Sequence, residues 1–559
     1  MKNNILSLVL IAILTGVLGV SCSKSLLDKD PLDKLSDPAL WNDINLIQAY
    51  VNDQYHVLPS VDWYDKVRGL TLSSACDESI HQYGYNGIYD VNKGAMAASN
   101  PTDFETWKFD YGYIRSCNVF FSNISKTPKT NPGLIDRLKG EVYFIRAWCY
   151  LELAERYGGV PLITAPFQLD DKFEVPRSSY DSTVNYIVSQ CDSAAALLPL
   201  QYSDDKDYGR ASKGAAMTLK SRILLYAASP LWNASNDPAK AKKAADAAKA
   251  VIDLQLYPLH QGPMGSYNKI FIDNTNSEII FQRTMDITSP NTVYAALEQI
   301  EGPNGGINSL GQYGGWNTNS PSQNLVDAFG MTDGLPISQS PLYNPQDPYT
   351  NRDPRFYADI NYDEGVWHGV ALEFFAGGRN SIQNTNNSDA QNCTRTGYTM
   401  RKHLNPAFDY QNDPLGQTFD PWIIFRISEL YLNYAEAEYY AGDENQARWA
   451  LNQLRSRPSV GLPDVTETGT NLLKRIQNER QVEMCFEGQR FFDVRRWKIA
   501  EVTENIPLNG INITVQGGVK TYTVQKVQDR VFTASKHYLF PIPQYELNKV
   551  KLTQNPGYN

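Results

Sequence analysis

The chain is 559 residues long, enough to bury a large core, and its 42% hydrophobic and 20% charged residues are those of a globular protein. A formal net charge of -10 with no basic block argues against a nucleic-acid partner, because phosphate binding depends on Lys and Arg neutralising the backbone. Aromatic content is the unusual feature: 34 Tyr, 21 Phe and 10 Trp make 12% of the chain, and those not used in a core can offer flat apolar faces to a ligand.

Residues 1–21 read as a secretory signal. Lys2 gives a positive start, and Ile5 to Leu18 is an apolar run too short to span a bilayer, which takes about 20 residues. Gly19, Val20 and Ser21 then precede Cys22, the arrangement of a bacterial lipoprotein signal in which the new N-terminal cysteine is lipidated. Ser23 to Ser36 is a polar tether, so residues 22–36 join the lipid to a folded unit over 37–559. Attachment to the membrane is expected through lipid alone, with two or more acyl chains needed for stable anchoring.

Helical signals fill two blocks. In the first, Leu134 to Tyr157 is a predicted helix ended by Gly158-Gly159 ahead of Val160-Pro161-Leu162. Ser182 to Leu198 follows, then Ser212 to Ser229, whose Ala216, Leu219, Ile223 and Tyr226 recur at helical spacing. Asp237 caps the next helix with Pro238 in its first turn. There Ala241, Ala244, Ala245, Ala248 and Ile252 line one face, and the small side chains admit a close neighbour. Helix pairs with small contact residues predict a mainly α fold, a TPR-like helical-repeat scaffold over about 134–257 and 424–500. The second block holds Ile427 to Ala441, Glu444 to Ser456 and Leu472 to Phe486. Between the blocks lies a long irregular insertion, about 258–423, dense in Gly, Asn, Pro, Ser, Thr and Tyr. Loops of that length are functional or disordered, and its aromatics favour function.

Six cysteines remain after Cys22: Cys76, Cys117, Cys149, Cys191, Cys393 and Cys485. None is in a C-x-x-C pair, so no zinc or thioredoxin-like site is indicated, while a disulfide stays open for an exported chain. The six histidines are scattered without metal-ligand spacing, and no cofactor is expected. G-x-S-x-G, H-E-x-x-H and P-loop patterns are absent from the sequence. A glycoside hydrolase would need two cleft carboxylates about 5–10 Å apart; no hydrolase motif or β/α alternation accompanies the many Asp and Glu. The cluster Glu479, Arg480, Glu483, Glu487, Arg490, Asp493, Arg495 and Arg496, with Arg426, Glu429 and Glu436, reads as a structural ion-pair network.

Several segments together resemble the SusD/RagB family. They are Leu26-Leu27-Asp28 with Pro31, EVYFIRAWCYLELAERYGGVPL from Glu141, and Asp353-Pro354-Arg355-Phe356. RISELYLNYAEAEYYAG from Arg426, NERQVEMCFEGQRFFDVRRWK from Asn478 and YLFPIPQYELN from Tyr538 complete the set. They span nearly the whole chain in order. The resemblance implies a non-enzymatic lipoprotein of the outer membrane, exposed at the cell surface. Such a protein captures an oligosaccharide and passes it to a TonB-dependent transporter of the SusC type. A peptide or other nutrient is the alternative cargo.

Sugar binding needs aromatic faces for pyranose C–H groups, flanked by hydrogen-bonding side chains. Two loop regions qualify. One holds Asp77, Glu78, His81, Tyr83 and Tyr85, with Trp63; the other holds Tyr294, Tyr313, Trp316 and Asn317, where Gly314-Gly315 is expected to leave the indole unobstructed. Trp316 is the leading candidate, and Trp367 is a further one. The resemblance likewise implies aromatics on an N-terminal and a mid-chain loop.

Overall fold

The computed structural model describes residues 37–559 other than 60–69, 85–86, 129–130, 169, 173, 203–204, 274, 285–296, 307–312, 408–421 and 559. The signal segment, Cys22 and the tether lie outside the described residues. The main helices are α1 (Ile44–Gln54), α2 (Trp107–Asn123), α3 (Pro132–Tyr157), α4 (Tyr180–Leu197), α5 (Lys213–Ala228), α6 (Pro238–Ile252), α7 (Ile427–Ala441), α8 (Glu444–Arg455), α9 (Gly469–Glu483) and α10 (Arg490–Arg496). Their starts are written in side chains. The Asn131 carboxamide accepts from Leu134 N, Ser212 Oγ from Ala215 N and Asp237 Oδ1 from Ala239 N, each cap worth about 1 kcal/mol.

Successive helices pack on one another from α3 to α6, and α7 then packs on α6 although 174 residues of sequence separate them. The solenoid therefore runs straight through the insertion. The alanine face makes this contact possible: Ala241, Ala244, Ala245 and Ala248 are fully buried, and without long side chains the helices approach closely. Val251, and not the expected Ile252, continues that buried stripe, since it falls three residues after Ala248 while Ile252 turns toward the edge.

The two glycines after α3 have separate reasons. Gly158 has φ +77°, which favours glycine. At Gly159 a Cβ would lie 2.1 Å from the Ser178 carbonyl oxygen, so the chain of 177–180 can only cross a residue without a side chain. Gly159→Ala is expected to destabilise the fold by about 1–3 kcal/mol, the usual cost of overpacking against unyielding backbone, and a lowered melting temperature checks it.

Short strands organise the rest: β1 (Ser79–His81), β2 (Ile279–Arg283), β3 (Asn304–Gly306), β4 (Tyr313–Gly314), β5 (Asn319–Pro321) and β6 (Trp422–Arg426). β1 pairs antiparallel with β5, β2 with β6 and β3 with β4. Because Arg283 faces Trp422 across β2 and β6, the insertion leaves and re-enters the solenoid at one point. A hairpin of β7 (Leu508–Gln516) and β8 (Val519–Gln528) follows α10. Gly517 and Gly518, at φ +60° and +81°, form its two-residue turn.

The charged motif is a buried network, as expected, but apart from Asp493 with Arg496 inside α10 its pairs run between elements. Glu483 receives Arg426 Nη1 at 2.8 Å, Arg355 Nη1 at 2.9 Å and Arg457 Nη2 at 2.7 Å. Glu479 binds Arg355 and Arg455, and Glu487 binds Arg426 and Lys402. Glu436 pairs with Arg496, and Glu429 with Arg222. Burial alone would raise the Glu483 carboxyl, but Arg457, Arg426 and Arg355 outweigh it and hold it well below the usual range. Arg355 belongs to the Asp-Pro-Arg-Phe segment, so that motif ties the insertion to α9. All six described cysteines are free and buried.

Candidate functional site

The two aromatic loop regions singled out in sequence come together. His81 on β1 faces Asn319 on β5, and the ladder continues as Gln82 N donates to Thr318 O at 2.7 Å. This places Tyr83 beside Trp316, 233 residues away, with the Tyr83 hydroxyl 3.5 Å from the Trp316 carbonyl oxygen. Both rings are half-buried. Trp316 is held from behind by the short helix Leu297–Glu301: its N–H donates to Gln299 O at 2.7 Å, and Thr318 N donates to Ile300 O at 2.9 Å.

A third segment, 387–395, completes the face and was not singled out from sequence. The Tyr83 hydroxyl donates to Asn392 Oδ1, and Gln82 Nε2 donates to the Gln391 carbonyl. Asn392 Nδ2 donates to the Asp389 carboxylate at 2.8 and 2.9 Å, and Asn304 Nδ2 donates to Asp389 Oδ2 at 2.9 Å. Gln391 and Arg395 are exposed at the rim, and Arg395 Nη1 reaches the Tyr89 hydroxyl at 3.4 Å. The available signal was compositional: Asn384, Asn386, Asn387, Asp389, Gln391 and Asn392 fall within nine residues of one another. Carboxamides so placed have donors and acceptors to fix one another and still meet hydroxyl groups.

Other expected positions are built into the support. Asp77 forms a two-pronged ion pair with Arg490 at 2.8 and 2.7 Å and is buried. Asn317 is fully buried at φ +45°, a conformation Asn tolerates, and its amide donates to Ser320 Oγ at 2.8 Å. Trp367 is only 4% exposed, under the Arg401 guanidinium at 5.4 Å. These three are spent on internal contacts and offer a ligand almost no surface. Gly315 serves packing as well, since a Cβ there would lie 2.2 Å from Gly302 O, so it permits a tight backbone crossing and not a cleared indole face. Trp63, Tyr85 and Tyr294 lie outside the described residues, and Tyr313 is placed here only as a backbone position of β4.

His81, expected to meet the ligand, is only 4% exposed and belongs to the support as well. Burial and then the Arg395 charge push the His81 imidazole down to about 4, so it is neutral at physiological pH. Beneath Trp316, Glu301 accepts from Asn319 N at 2.9 Å and Asn319 Nδ2 at 2.7 Å, yet burial pushes its carboxyl up to about 7; Glu298 is pushed to about 7 in the same way. An unfolded Glu titrates near ~4.3, so between there and about 7 the folded state holds protons that the unfolded chain has lost. Their contribution is full below ~4.3 and falls as pH rises toward 7. Glu301→Gln is expected to flatten the decline in melting temperature between pH 5 and pH 7, and a slope equal to the wild type's would refute that role. Among the described residues no group of His, Cys, Asp and Glu is arranged to hold a metal ion, and no helix is long and apolar enough to cross a membrane.

Fold and site together define a helical-repeat scaffold whose loops gather aromatic and carboxamide side chains on one face. The chain belongs to the SusD family, whose model matches residues 277–558, while a second model, described as starch-binding and associating with the outer membrane, matches 30–225. SusD-like protein P25 of Formosa agariphila is 23% identical over 582 aligned residues, covering 96% of this chain and 97% of that protein. A SusD-like protein from Bacteroides fragilis shares the fold with a TM-score of 0.78 at 32% identity, covering 95% of this chain and all of that one. A laminarin binding SusD-like protein superimposes with a TM-score of 0.66 at 22% identity, over 92% and 100% of the two chains.

Proposed function

We propose that this protein binds a neutral glycan on the face formed by Tyr83, Trp316, Asp389, Gln391 and Arg395, and delivers it to a TonB-dependent transporter of the SusC type without cleaving it. The observation that carries the reading is the convergence of Tyr83, Trp316 and the 389–392 carboxamides from three distant parts of the sequence. Aromatic rings flanked by amides suit a polyhydroxylated chain. The relatives point the same way: one family model is described as starch-binding, and one solved relative as laminarin binding. Anchoring through lipid on Cys22 would hold the site at the outer membrane. Asp389, the carboxylate on the face, is engaged by the amides of Asn304, Asn392 and Gln391, which favours holding a ligand over acid–base work.

Affinity electrophoresis of residues 23–559 through gels containing single polysaccharides tests this. Retardation by one glycan, recovered uncleaved, is expected. Shortening of the glycan would overturn the non-enzymatic part, and retardation by none, with no binding of shorter oligosaccharides, would overturn glycan capture.

A further inference from the structure

A second cleft lies away from the aromatic face, between the segment joining α4 to α5, the end of α6, and β2 with its approach. It encloses about 320 Å³ and is lined by Tyr202, Tyr208, Arg210, Tyr257, Asn276 and Gln282, among others. That volume reaches the lower range of small-molecule sites and suits one or two sugar rings, not a folded partner.

The charges of this cleft are already matched. Arg210 donates to Asp207 Oδ1 at 2.9 Å and to Glu141 Oε2 at 3.1 Å, and Arg137 closes the set on Glu141 and Asp207. No net charge is left to attract an ion. Neutral hydrogen-bonding capacity does remain. The Tyr208 ring is 40% exposed and makes no hydrogen bond or ring contact among the described residues. Asn276 uses its Oδ1 to accept from Glu278 N, which leaves its amide N–H groups to the cleft. The walls are also fixed. Tyr202 is tied to Ala211 O at 3.1 Å and β2 is held by β6, so little ordering is needed on binding.

We infer that this cleft is a second saccharide site, taking a neutral mono- or disaccharide unit with Tyr208 as the stacking face and Asn276 as a hydroxyl donor. The ligand class rests on the proposed glycan function, but the place does not. A polymer on the aromatic face and a short unit in the cleft would be bound independently.

The test follows amide hydrogen exchange of residues 23–559 with maltose, cellobiose and laminaribiose, each at about 10 mM so that a millimolar site fills. At least one disaccharide is expected to slow exchange in 206–212 and 275–282. Trp316→Ala should keep that protection, whereas Tyr208→Ala and Gln201→Trp, both at exposed positions and the latter filling the cleft mouth, should lose it by tenfold or more in affinity. No protection with any of the three sugars would overturn the inference, as would protection that survives both cleft variants. Protection of the cleft without retardation by any polysaccharide would sink polymer binding on the aromatic face and leave this inference standing.

Discussion

Glu483→Ala is expected to lower stability by about 3–5 kcal/mol, the cost of leaving buried charge without its partner. Glu483 is fully buried and serves Arg355, Arg426 and Arg457 at once. Its loss leaves three buried guanidinium groups short of a carboxylate: Arg355 keeps Asp353 and Glu479, Arg426 at the end of β6 keeps Glu487 and Glu278, and Arg457 after α8 keeps Glu278 alone. Against a total of about 5–15 kcal/mol for a typical domain, the variant should melt far below the wild type or fail to accumulate. An unchanged melting temperature would show that the network gives position but no net stability. Acid should act on the same point. The arginines hold Glu479 and Glu483 below the usual range and, with Lys402, hold Glu487 at about 2. Their contribution is present above ~4.3, the ordinary Glu value, and is lost as pH falls toward 2. Stability should therefore decline on both sides of an optimum, with Glu298, Glu301 and Asp359, each pushed up to about 7 by burial, among the carboxyls that contribute to the upper slope.

Trp316→Ala should weaken polysaccharide binding about 30-fold, or ~2 kcal/mol, the scale of an aromatic hot spot. The indole is half-buried and its backbone is fixed from Gln299, so truncation removes a stacking face without unravelling the loop. Affinity electrophoresis on the retarding glycan, beside a melting curve, separates loss of the face from loss of fold. Transporter association should survive, because the helices are intact. Binding within twofold of the wild type would remove Trp316 from the site.

The helices were legible because their information is local. The spacing of Ala216, Leu219, Ile223 and Tyr226, the Asp237-Pro238 start and the Gly158-Gly159 stop each act within a turn or two. The network was legible in kind but not in pairing, since nothing local says that Glu479 looks to Arg355 and Arg455 and not to its own helix. The β7–β8 hairpin was written in the alternation around Gly517-Gly518 and went unread. The ligand face was half legible. Aromatics in glycine-rich loops marked Tyr83 and Trp316, and only the β1–β5 pairing brings them together. Asp77 and Asn317 looked like binding residues because polar side chains in loops usually face water. Arg490 and Ser320 claim them instead, from partners that spacing could not reveal for Asp77. The role of 387–395 depends on side chains meeting across the fold, which composition hints at and order alone does not resolve.

The pairing of β2 with β6 has a consequence for how such a protein can diversify. Since both ends of the insertion are pinned at one two-stranded joint, the solenoid does not register how long the intervening chain is. Doubling a flexible loop adds only about 0.6 kcal/mol of closure entropy. The joint thus works as a socket: segments of different length and residue choice can be exchanged between Arg283 and Trp422 while helix packing stays the same. Arg355 and Lys402 limit that freedom, because any replacement must still deliver a guanidinium to Glu479 and Glu483 and an ammonium to Glu487.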